Sequence, residues 1–138
     1  METYETFNNT ALSDLGDKKG AIEKFQKATE FDPKFAMAYN NWGFALFDPG
    51  NNKAAIEKFQ KAVELDPKFA MAYSNWGGAL FVLGDKKGAI EKYRKAVELD
   101  PKFAMAYYNW GKALEKLGRN KEAKEKIKKA QALGFRRK

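Results

Sequence analysis

Apolar residues recur along this chain in two helical stripes per 34 residues. Tyr39, Trp42, Gly43 and Leu46 stand at i, i+3, i+4 and i+7, and Ala55, Ile56, Phe59, Ala62 and Val63 form a second stripe of the same kind. The spacing predicts two short helices per unit and an all-α chain without strands. Residues 36–69 and 70–103 differ at only nine of 34 positions, and DPKFAMAY is spelled three times, from Asp32, Asp66 and Asp100. A fixed period of this length marks an array of stacked supersecondary units. The near-identity of the units fits recent duplication or consensus design.

The punctuation agrees with the stripes. Gly50, Gly84 and Gly118 fall between the two helices of a unit, where a helix C-terminus favours a residue tolerant of positive φ. Asp17 and Asp85 follow as N-caps of the second helix, with Asn51 and Arg119 in those places elsewhere. Asp-Pro is expected to end the second helix and to open the next one, with Pro in its first turn. Pro49 is expected to stop its helix about one residue early. Gly43, Gly77 and Gly111 sit inside helices, where glycine costs about 1 kcal/mol, so close helix packing must offset it. The three Trp residues read as packed core.

The ends depart from the repeat. Glu5, Asn8 and Asn9 fall where Tyr, Trp and Gly stand elsewhere, and Tyr4, Phe7, Ala11 and Leu15 form a stripe shifted by about one residue. A rotated or frayed first helix is expected there. The last helix keeps Ala123, Ile127, Ala130 and Leu133 on one face among lysines.

With Tyr39-x-x-Trp42-Gly43-x-x-Leu46, then Ala55, Phe59, Ala62 and Pro67, the unit resembles a tetratricopeptide repeat. Tyr73, Trp76, Gly77, Leu80, Ala89, Tyr93, Ala96 and Pro101 repeat the match, and Tyr107, Trp110, Gly111, Leu114, Ala123 and Ala130 repeat it again. Family members usually carry Trp where Tyr39 stands and Leu where Trp42 stands. The resemblance implies one right-handed superhelical solenoid of antiparallel helix-turn-helix hairpins over residues 1–138. Its repeats would span roughly 2–35, 36–69, 70–103 and 104–137.

Charge and composition then narrow the function. The net charge is +8, yet residues 1–110 balance and the whole excess lies in 111–138, which holds eleven Lys/Arg against three Glu. Without cysteine or histidine the chain lacks disulfides, thiolate chemistry and the commonest general base and metal ligand. Glu57, Glu64, Glu91 and Glu98 are spaced among lysines as on a solvated helix face. GDKKGAIEK lacks the GxxxxGK[ST] of a phosphate loop. No catalytic residues, cofactor or metal are expected. There is no apolar run long enough to span a bilayer and no basic-apolar leader. A cytoplasmic location with no membrane partner is expected.

A helical wheel places Met37, Asn40, Asn41 and Phe44 opposite the Trp stripe. The equivalent residues are Met71, Ser74, Asn75 and Gly78, then Met105, Tyr108, Asn109 and Lys112, with Phe47, Phe81 and Val82 flanking. An apolar patch on a face expected to be solvated marks a candidate interaction site, and methionine suits adaptable binding. Tight curvature covering these side chains is the alternative. The resemblance implies that this face lines the groove where peptides bind. The candidate groove residues are therefore Met37, Asn40, Asn41, Phe44, Met71, Asn75, Phe81, Met105, Tyr108, Asn109 and Lys112. Family members that grip a carboxylate need cations where this chain has Asn40, Met71 and Asn109, so such a clamp is not expected; in others an asparagine row like Asn41, Asn75 and Asn109 bonds to peptide backbone. The expected partner is a protein or peptide. Self-association is the alternative, since the inner units present nearly identical packing surfaces. Nucleic-acid binding through the basic tail is not expected, because only Phe135 could stack on a base there.

Overall fold

The computed structural model describes Glu5, Asn8, residues 16–47 and residues 50–136. Expectations about the stripe of Tyr4, Phe7, Ala11 and Leu15 lie outside these residues, as does Pro49 itself. Seven α-helices and no strand occur among the described residues: α1 (Lys18–Phe31), α2 (Ala36–Leu46), α3 (Asn52–Leu65), α4 (Ala70–Val82), α5 (Lys86–Leu99), α6 (Ala104–Lys116) and α7 (Asn120–Ala132). The chain forms two compact units, residues 1–67 and 68–138.

In the first unit α2 packs on both α1 and α3. Buried Ala21, Phe25 and Ala45 form a cluster, with half-buried Ile22 and Trp42 against it. In the second unit α5 packs on α4 and α6, α7 packs on α6, and α4 also reaches α6. Its core joins Ala89, Ile90, Tyr93, Ala113, Leu114 and Ala123, with Leu80, Phe81, Trp110 and Leu117 around them. The core is built mainly of alanine, so the helices lie close and the few large buried side chains meet small partners.

Glycine inside a helix is where this closeness is decided. A methyl group on Gly77 would lie 2.8 Å from Tyr93 Cε1 and 3.1 Å from the Ala89 carbonyl oxygen. Gly43 faces Phe59 and the Ala55 carbonyl in the same way, and Gly111 faces Ile127 and the Ala123 carbonyl. Only a missing Cβ lets the second helix of each hairpin approach this near, as the sequence suggested.

The turns follow from single residues. Gly84 adopts φ +94, and the amides of Gly84 and Asp85 donate to the carbonyls of Phe81 and Leu80, closing α4. Asp85 Oδ1 then accepts from the Gly88 amide at 2.9 Å, and Asp17 Oδ1 accepts from Gly20 at 3.2 Å, so both are the expected N-caps. Neither Asn51 nor Arg119 supplies a side-chain cap bond. Helix α2 stops at Leu46, two positions short of the equivalent ends of α4 and α6, more than the one residue expected from the following Asp-Pro.

The Asp-Pro corner works differently from the sequence expectation. Asp32 and Asp100 are C-caps in extended conformation, and their carboxylates accept from the amides of Lys34 and Lys102 at 3.0 and 3.2 Å. Proline therefore sits in an Asx turn and not in a first helical turn. The next helices begin at Ala36, Ala70 and Ala104, after Phe35, Phe69 and Phe103, none of which makes a side-chain cap bond.

The tryptophans are half-buried, and Trp42 and Trp110 pack against the buried clusters of their units, as expected of core residues. Each lies 6.1–6.3 Å from the tyrosine one turn before it: Tyr39 by Trp42, Tyr73 by Trp76, and Tyr107 by Trp110. Over the three indoles stand the ammonium groups of Lys58, Lys92 and Lys126, at 3.7, 3.9 and 4.1 Å from the ring. The indole thus meets apolar neighbours on one side and a cation on the other, a favourable pairing for the electron-rich ring face.

Candidate functional site

The candidate residues come from equivalent positions on α2, α4 and α6, and burial separates them into two groups. In the first unit Met37 and Phe44 of α2 are 50% and 53% exposed. In the second unit Met71 of α4 and Met105 of α6 are exposed to a similar degree, 52% and 56%. Large apolar side chains held half in water on α2 of the first unit, and on α4 and α6 of the second, make these helix faces binding candidates. Asn75 and Asn109 are half-buried on the same faces.

Three candidates are placed otherwise than the wheel implied. Asn40 is only 1% exposed and Ser74, its equivalent on α4, is buried as well. The wheel counted only the partner helix within a hairpin, whereas in the second unit α4 also meets α6. Phe81 is half-buried against the core of the second unit and so points inward. Asn41 lies on the expected face, but its Nδ2 donates to Oδ1 of the buried Asn8 at 3.0 Å. That bond gives Asn41 a structural duty.

The α6 portion of the face is more elaborate. Tyr108 is half-buried and stacks on Phe135, with ring centroids 4.3 Å apart. Lys112 places its ammonium 6.0 Å from the Tyr108 ring and 2.9 Å from Glu115 Oε1. Neither Asn8 nor Phe135 was among the residues expected on this face. Asn8 was legible in principle, because a stripe shifted by one residue puts it 33 positions before Asn41. The lysines over the indoles were legible too, since Lys58, Lys92 and Lys126 each stand sixteen positions after a Trp.

The titratable chemistry of the described residues is plain. Burial pushes the Tyr93 hydroxyl up to about 12, because a phenolate would be stranded among the helices. No group of His, Cys, Asp or Glu among the described residues could hold a metal ion. No described helix is long and apolar enough to cross a membrane.

Short helical hairpins in a 34-residue period, joined by positive-φ glycines and Asp-Pro corners, define a helical-repeat protein whose candidate site is a helix face. Family models described as TPR repeat match residues 11–50, 43–84 and 77–118, and one described as tetratricopeptide repeat matches 104–133. The chain belongs to the tetratricopeptide repeat family. Among solved structures, the crystal structure of MamA superposes with a TM-score of 0.84 at 33% identity, covering 94% of this chain and 77% of that one. The MamA RS-1 ArsTM double mutant gives 0.80 at 28% identity, covering 94% and 72%. The first TPR of Spaghetti (RPAP3), bound to the HSP90 peptide SRMEEVD, gives 0.79 at 24% identity, covering 84% and 94%. The comparison with curated proteins finds no match.

Proposed function

We propose that this chain is a non-catalytic scaffold that binds a protein or peptide on the exposed faces of the first-of-hairpin helices, within each unit taken by itself. The exposure of Met37, Phe44, Met71 and Met105 carries this reading. Exposed methionines recur at equivalent positions of α2, α4 and α6, with Phe44 beside the first of them; exposed apolar surface of this kind marks interaction sites, and methionine adapts its shape to varied apolar ligands. Asn75 and Asn109 stand beside them, each with an amide that both donates and accepts, as the backbone of an extended peptide requires. A protein of this fold holds the peptide SRMEEVD; at that identity the likeness extends to fold alone, and this chain lacks cations at the clamp positions.

Stacking of a second copy on the α7 end is less well supported. The α5 residues Ile90 and Val97, buried against the following hairpin, are replaced at the equivalent α7 positions by exposed Lys124 and Gln131. A hairpin docking there would have to desolvate an ammonium and an amide.

The test is a double variant, Met71→Glu with Met105→Glu, probed with peptides selected against the parent. Both positions are exposed, so stability is expected to change by no more than about 0.5 kcal/mol each. Binding is expected to disappear. Undiminished binding with intact helicity would move the site off this face.

A further inference from the structure

We propose that the Tyr108 corner of α6 is a subsite for an aromatic side chain within an acidic peptide, and that Phe135 is its resident placeholder. This rests on the groove reading above and adds the ligand's chemistry to it. The second helices α1, α3 and α5 each run into Asp-Pro, at Asp32, Asp66 and Asp100, and the chain continues forward into the next helix. At the equivalent point after α7 the sequence is Gly134-Phe135. Gly134 takes φ +100, its amide donates to the Gln131 carbonyl at 3.0 Å, and the Phe135 amide donates to the Ala130 carbonyl at 2.9 Å. This doubly bonded turn reverses the chain and delivers the Phe135 ring onto Tyr108.

The receiving position differs from its counterparts in the same way. Asn40 and Ser74, equivalent to Tyr108, are small and buried, whereas Tyr108 offers a half-buried ring. The stack shows that the corner accepts an aromatic ring at van der Waals distance. Met105 stands exposed one turn before Tyr108, and Lys112 stands one turn after it. Residues 111–138 carry eleven cations against three glutamates, so acidic residues flanking the incoming ring are favoured. Phe135 is tethered and competes with the ligand. If ring stacking favours the closed arrangement by its usual margin, the placeholder weakens binding about three- to fourteen-fold.

The probe is a fluorescein-labelled peptide with one Phe flanked on each side by Asp-Glu, beside a twin with Ala for Phe, titrated at fixed salt and read by anisotropy. Phe135→Ala is expected to bind the Phe peptide about three- to fourteen-fold more tightly than the parent and to leave the Ala peptide unchanged. Tyr108→Ser, which installs the residue found at position 74, is expected to erase the difference between the two peptides while circular dichroism stays that of the parent. Equal or weaker binding of the Phe peptide to Phe135→Ala overturns the proposal, as does a parent that treats the two peptides alike. If peptides bind without regard to position 135 yet are lost in the Met71→Glu, Met105→Glu variant, the groove reading survives and the placeholder does not. If neither peptide binds any variant, the proposal falls, and the groove reading is left to stand or fall on selected peptides.

Discussion

Replacing Gly77 by alanine sets two opposed effects against each other. Alanine is the better helix former, by about 0.8–1.0 kcal/mol in a helix interior. Against this, the new methyl group would start 2.8 and 2.9 Å from two ring carbons of Tyr93 and 3.1 Å from the Ala89 carbonyl oxygen. Carbon atoms prefer about 3.5–4.0 Å, so α4 and α5 would have to part by several tenths of an ångström. Tyr93 is 3% exposed and has no room to swing aside, and the Ala89 carbonyl belongs to helix backbone. Overpacking of this kind costs about 1–3 kcal/mol and can exceed that where backbone must move. We expect Gly77→Ala to be destabilised by about 1–2 kcal/mol net, read from urea denaturation followed by far-UV circular dichroism. A Gly77→Ala protein about 1 kcal/mol more stable than the parent would show that propensity alone acts there, and the close-approach argument would fail.

Alkaline titration tests Tyr93. Its hydroxyl ionises near 10 when unfolded and at about 12 when folded; the folded chain therefore keeps a proton that the unfolded chain loses, and stability present below pH 10 drains away up to pH 12 at roughly 1.4 kcal/mol per pH unit. Tyr93→Phe should lack that component of the slope, measured as the difference between the two proteins' denaturation curves across this range. Capping predicts a pair of opposite outcomes: Asp85→Ala should lose about 1 kcal/mol, and Arg119→Asp, which offers α7 the carboxylate it lacks, should gain a similar amount in thermal melts. Asn41→Ala should cost about 1–3 kcal/mol, because the amide oxygen of buried Asn8 loses its donor; a neutral result would mean that water replaces the bond at no cost.

Much of the fold is written in local signals. Gly84 and Asp85 declare a helix end and a helix start by backbone conformation and carboxylate position alone, and the Gly77–Tyr93 contact is implied by glycine inside an apolar stripe. The site was less legible because it depends on third partners. A wheel drawn for α4 takes account of α5 but not of α6, which it also meets, so the buried Ser74 was assigned to an open face. Phe81 was misassigned in the same direction: expected on the groove side, it packs against the core of the second unit. Tyr108 and Phe135 are 27 positions apart, and their meeting requires both the positive-φ turn at Gly134 and the packing of α7 on α6. No periodicity records such an encounter.

The lysine-capped indoles make each hairpin its own reporter. Trp42, Trp76 and Trp110 each have an ammonium within about 4 Å of the ring, and Trp110 has in addition the Arg94 guanidinium of the preceding hairpin at 5.9 Å. Emission from any one of them must change when its own second helix lifts away, since the lysine travels with that helix. Chains retaining a single indole, with leucine at the other two positions, would therefore report the opening of one hairpin at a time. Arrays whose stability is a sum of local and nearest-neighbour contributions open unevenly. Three melting curves from one molecule would then give the order in which its hairpins come apart.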